Sequence, residues 1–119
     1  MIQIEITPAV GGSGGCYKAT GHAGEGKEAV CGAVTAIEEC LAANLDNTWN
    51  VRTRRKAGPG CYELRWDKTD RQGKGLNRAN QAAGFAYAGL KALAQTYPDE
   101  VQVKWHQKYM ERSKQHETD

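Results

Sequence analysis

The sequence holds one phenylalanine and three prolines in 119 residues, and no apolar stretch long enough to span a bilayer. It opens Met-Ile-Gln-Ile-Glu, without the basic start and apolar run of a secretory signal, so the expectation is a soluble cytoplasmic protein with no membrane partner. Neither sign of charge dominates. Sixteen Lys and Arg against fourteen Asp and Glu give a formal charge of +2, which lacks the strongly cationic balance of a dedicated nucleic-acid binder. There is no Cys-x-x-Cys pair. The four cysteines, Cys16, Cys31, Cys40 and Cys61, read as thiols, because a cytoplasmic chain with a credible core needs no disulfide, and a metal site would have to be assembled from widely separated Cys and His residues. No metal and no cofactor are expected. There is no internal repeat, and the length fits a single domain with a real core.

What is present is a succession of two periods. Ile2, Ile4 and Ile6 alternate with polar residues as a strand with one buried face does, and Pro8 ends it. Gly11 to Gly15 reads as a mobile connection, and Tyr17 to Thr20 as the return strand of a hairpin. From about Glu28 to Leu45 the spacing changes to three and four, with Val30, Val34, Ile37, Leu41 and Leu45 on one helical face. Trp49, Val51 and Thr53 then alternate on the inward face of a strand, the turn Gly58-Pro59-Gly60 follows, and Tyr62, Leu64 and Trp66 face one side of the returning strand. A second helix spans about Leu76 to Tyr97, with Ala79, Ala82, Ala83, Ala86, Leu90, Leu93, Ala94 and Tyr97 as its buried stripe. Val101, Val103 and Trp105 form a last strand. The order ββαββαβ predicts an α/β (α+β) two-layer sandwich, a mixed sheet of about five strands under two helices, in one domain over 1–106 with a polar tail at 107–119.

The chemistry concentrates between Gly21 and Thr35. A helix beginning near Glu28 puts Cys31 in its first turn, where unpaired backbone N–H groups and the positive end of the helix dipole stabilise a thiolate, the reactive form. His22 leaves the preceding strand, and Gly24 and Gly26 let the chain turn back sharply, so an imidazole beside the sulfur is sterically feasible. Spacing alone favours the plainer reading of the pair, a small core residue on a helix and an ordinary loop histidine.

Gly21-His22-Ala23 followed by Val30-Cys31-Gly32-Ala33-Val34-Thr35 resembles the paired signature of the ribosomal-processing cysteine protease (Prp) family, and the similarity in layout runs over roughly residues 1 to 105. The resemblance implies a cysteine endopeptidase, usually a homodimer, that removes a short N-terminal extension from a large-subunit ribosomal protein, with phage relatives acting on capsid or scaffold proteins. It places the nucleophile at Cys31, the histidine at His22, and a small hydroxyl residue at Thr35. The hydroxyl of Thr35 is free by position either to meet the sulfur or to bond back to its own helical turn. Backbone N–H groups near Cys31 and Gly32 are candidate oxyanion donors. The chain departs from the family at Glu28, where Asp is usual, and in a shorter connection from His22 to Cys31, which opens the possibility of a different protein substrate, as in a phage or prophage member. Glu25 and Glu28 read as solvated or helix-end carboxylates rather than as a third catalytic residue.

Two other readings compete. Arg52, Arg54, Arg55 and Lys56 beside Trp49 form a basic and aromatic combination that suits a non-catalytic RNA-binding or ribosome-binding module. Alternation disfavours a nucleic-acid partner, because it assigns Trp49 to the core. A retired relative acting as an assembly scaffold is disfavoured by the presence of both His22 and Cys31.

Overall fold

The structure is a computed structural model and describes residues 1–106. Five strands and two helices follow in the order β1 (Ile2–Thr7), β2 (Gly15–Thr20), α1 (Glu28–Asp46), β3 (Val51–Gly58), β4 (Cys61–Lys68), α2 (Leu76–Thr96) and β5 (Val101–Trp105). They build one sheet of spatial order β3-β4-β2-β1-β5, in which β1 and β5 are parallel and the other neighbours antiparallel. This is the mixed five-stranded α+β fold predicted from the two periods. The tail at 107–119 lies outside the described residues.

Strand alternation decides which side of the sheet is covered. Ile2, Ile4 and Ile6 on β1, Tyr17 and Ala19 on β2, Leu64 and Trp66 on β4 and Val101 on β5 are all buried against the helices. Their neighbours in sequence point to the opposite face, over which no described element packs. α1 buries Val30, Val34, Leu41, Ala42 and Leu45, and α2 buries Leu76, Ala79, Ala83, Ala86 and Leu90. The small residues of α2 let it lie close to α1 and to the sheet. Asn80 ties α2 to the β1–β2 connection: its amide group donates to the Ala9 carbonyl at 2.8 Å and accepts from the Ala9 N–H at 2.8 Å.

Four local expectations need correction. Gly15 opens β2 instead of belonging to a mobile loop; the connection closes as a turn, with Val10 and Ser13 exchanging backbone hydrogen bonds of 3.2 and 3.0 Å. Gly15 packs against the indole of Trp66, and an added Cβ would come within 2.1 Å of that ring. Trp49 is not a core residue but 85% exposed, because it precedes β3 and is separated from it by Asn50 at φ 62°. Tyr97 lies one residue past α2 and is 38% exposed, so it does not complete the buried stripe. On α1 the buried face includes Glu38, while Ile37 is only half-buried.

Candidate active site

α1 starts at Glu28, which makes Cys31 its fourth residue, as the spacing predicts. No side chain of the described residues caps this end. The Cys31 N–H donates to the Lys27 carbonyl across 3.4 Å and the Val30 N–H to the same carbonyl at 3.0 Å. The amides of Glu28 and Ala29 have no hydrogen bond to the described residues. The N–H of Cys31 is therefore already engaged, and the free donors of the first turn lie earlier than the sequence reading placed them. The half-buried thiol packs against the core from the helix side.

His22 approaches from the end of β2. Its segment is pinned from three directions: the terminal ammonium of Met1 donates to the His22 carbonyl at 2.7 Å, the Gly21 N–H donates to the Gly60 carbonyl at 2.9 Å, and the Gly24 N–H donates to a Glu100 carboxylate oxygen at 2.6 Å. The imidazole lies against Gly60 in the β3–β4 turn. Gly60 has φ +65°, and a Cβ built there would stand 2.8 Å from Nε2 of His22, so the turn and the ring fit only without a side chain.

These elements bring His22 and Cys31 to one cleft of about 360 Å³, bounded by α1, the end of β2 and the β3–β4 hairpin. No hydrogen bond joins the two side chains in this structure. Thr35, one turn after Cys31, also lines the cleft. Its hydroxyl makes no hydrogen bond within the described residues, whereas those of Thr48 and Thr96 donate to carbonyls four residues back. Gly32 is exposed and does not line the cleft, and a Cβ there would meet nothing within 4 Å. Glu25 and Glu28 are exposed and likewise absent from the lining, so neither reaches the imidazole through the cleft. Cys61, on the hairpin, is a second thiol in the wall.

The polar floor of the cleft was missed. Glu38, two turns beyond Cys31, lines it and is only 7% exposed. Its carboxylate accepts a 2.6 Å hydrogen bond from the Tyr17 hydroxyl. Burial pushes the Glu38 carboxyl above the usual carboxylate range, partly opposed by that bond, and burial together with the nearby carboxylate pushes the Tyr17 phenol up. Tyr62 meets Tyr17 edge-on, with centroids 6.1 Å apart, and lies under the Arg55 guanidinium. The Tyr62 hydroxyl is buried without a hydrogen-bond partner among the described residues, and burial raises its pKa. A signal for Glu38 existed: it stands four residues after Val34 and three before Leu41, a carboxylate inside an apolar stripe. Glu100, which holds Gly24, left no such trace.

Among the described residues no group of His, Cys, Asp and Glu is placed to hold a metal ion, and no helix is long and apolar enough to cross a membrane.

No curated protein matches the chain significantly. Among solved structures, the essential ribosomal processing protease Prp from S. aureus, crystallised with a covalently linked product peptide, is similar at TM-score 0.69 and 16% identity, over 89% of this chain and 100% of that one. The same protease with a substrate peptide gives 0.68 and 13%, over 89% and 100%. SMU.848 from Streptococcus mutans gives 0.64 and 24% identity over 88% of this chain and 93% of its own. These likenesses establish the shared fold. The profile of the family described as "Cysteine protease Prp" matches residues 1–102, nearly all of the described chain, and the protein accordingly belongs to the Prp cysteine protease family.

Proposed function

We propose that the protein is a thiol endopeptidase in which Cys31 is the nucleophile and His22 its general base. The observation that supports this most directly is the convergence of the two side chains on one cleft from separate elements, with the sulfur at the start of a helix whose first amides are unsatisfied. His22 accepts the thiol proton as the sulfur attacks the scissile carbonyl carbon. The tetrahedral intermediate collapses as the protonated imidazole returns its proton to the leaving amine, which departs as the new N-terminus and leaves a thioester on Cys31. Water, deprotonated by His22, then cleaves the thioester and restores the thiol. The amides of Glu28 and Ala29 supply fixed dipoles at the helix end where negative charge develops. Thr35 supports the site by offering an unengaged hydroxyl to the sulfur side of the cleft.

The substrate is a protein: either a ribosomal large-subunit protein carrying a short N-terminal extension, or a phage capsid or scaffold protein. The family supports the first choice, and the His22–Cys31 connection, shorter than the one the family resemblance leads one to expect, is the reason to test the second. We also propose a cytoplasmic homodimer. Its contact is assigned to the groove between α1 and α2, where Phe85 is 81% exposed beside Ile37, Cys40, Ala82 and Gly89 and no lining residue is charged.

The deciding experiment is incubation of wild type, Cys31→Ala, Cys61→Ala and His22→Ala with both classes of precursor, read by intact-mass spectrometry. Wild type and Cys61→Ala are expected to cut one precursor, Cys31→Ala not at all, and His22→Ala at least about a hundredfold more slowly. Cleavage that survives in Cys31→Ala, or none by wild type, refutes the assignment.

A further inference from the structure

The uncovered face of the sheet carries its charges in rows fixed by the strand register. Along one row Lys56, Glu63, Lys18, Glu5 and Lys104 stand side by side on β3, β4, β2, β1 and β5, alternating in sign across the whole sheet. Such a row is internally compensated. The adjacent row is not: Arg54 stands directly opposite Arg65, followed by Cys16 and Thr7. Like charges directly opposite each other destabilise a strand pair. Beyond them Arg52 faces Asp67, whose carboxylate already accepts the Lys68 N–H at 2.8 Å.

These residues border a hollow of about 550 Å³ at the open face, whose lining has Arg52, Arg54 and Arg65 against the single carboxylate of Asp67; Lys68 also borders it but shares the strand face of Trp66. Arg65 is ion-paired with Glu63, while Arg52 and Arg54 have no ion pair among the described residues. The planar guanidinium groups match phosphate oxygens in pairs. At the same end of β3, three residues before Arg52 and next to the Val51–Lys68 pairing, stands Trp49 with its indole exposed. Trp49 is not part of the hollow's lining, but a cationic hollow with an exposed aromatic residue three positions along the same chain has the components of a single-strand nucleic-acid site, in which the groove follows the phosphates and a base stacks on the ring.

We propose that this face binds single-stranded nucleic acid, with phosphates at Arg52, Arg54 and Arg65 and a base on Trp49. The face is opposite the helical layer and shares none of its lining with the cleft of His22 and Cys31, so the proposal is independent of the peptidase assignment.

The test is fluorescence anisotropy of a labelled oligouridylate titrated with the full chain at several salt concentrations, using wild type, Arg52→Ala/Arg54→Ala, Trp49→Ala and Cys31→Ala. Three phosphate contacts give a slope of log affinity against log salt of about −2, and loss of two arginines brings it to about −0.7. Trp49→Ala is expected to weaken binding roughly tenfold, and Cys31→Ala to leave it unchanged. All substituted residues but Cys31 are exposed, and circular dichroism melts establish that the variants fold. The proposal is overturned by absence of binding at the lowest salt, by binding that the double-arginine variant retains, or by an oligoglutamate that displaces the RNA as well as unlabelled oligouridylate does.

Discussion

At the scale of single residues, the most consequential group is Glu38. A carboxylate with one strong donor, buried beside a tyrosine whose own phenol resists ionisation, holds its proton to higher pH in the folded state than in the unfolded chain. Stability from this group is greatest below the ordinary carboxylate value of 4.5 and is lost as pH rises through the raised folded value. Urea unfolding of Glu38→Gln should therefore show a flatter decline above pH 4.5 than wild type, while Tyr17→Phe, which strands the carboxylate, should cost about 1–3 kcal/mol at neutral pH. Identical pH profiles for wild type and Glu38→Gln would sink this account. The dyad candidates were legible through the resemblance of the segments around His22 and Cys31 to a family signature, not from their spacing. Glu38 was not, because its significance depends on Tyr17, twenty-one residues away, and a stripe counted for apolar residues passes over a carboxylate.

Among elements, the two periods located all seven, because the sheet is covered on one side only and alternation is strong. Where the reading failed, a single backbone conformation is responsible. Asn50 at φ 62° breaks the extended chain, so the parity of Val51 and Thr53 does not carry back to Trp49. The β3–β4 hairpin is more than a connection, since its Gly60 forms a wall for the His22 ring. Gly60→Ala adds a methyl into that wall at a left-handed φ; a displacement of the imidazole by about 1 Å should lower kcat/KM roughly a hundredfold. Gly58→Ala is the matched control, because a Cβ there meets nothing within 4 Å. Equal activities of the two variants on a substrate peptide would show that the hairpin does not position the ring.

For the whole molecule, the two layers present opposite chemistries. The helical side carries an uncharged groove around Phe85, and the sheet side carries ordered rows of charge. Sedimentation equilibrium is expected to give twice the chain mass for wild type and the single mass for Phe85→Glu; a monomeric wild type would remove the groove from consideration as a dimer contact. The groove was not legible beforehand, since it depends on two helices lying side by side; of the sheet surface the sequence showed the run of Arg52 and Arg54 near Trp49, but not Arg65 beside them, which the β3–β4 register supplies.

The placement of β1 between β2 and β5 also sets a schedule. Ile2 pairs with Val101, the Ile2 N–H donates to the Glu100 carbonyl at 2.8 Å, and the Glu100 side chain holds the loop that follows His22. During synthesis the first strand and the histidine emerge early, yet these tethers form only after residue 101 has left the ribosome tunnel. A growing chain passes most of its synthesis with the thiol made but the last of the three tethers on the His22 segment missing, so under the proposed dyad the completion of the site trails the making of its residues.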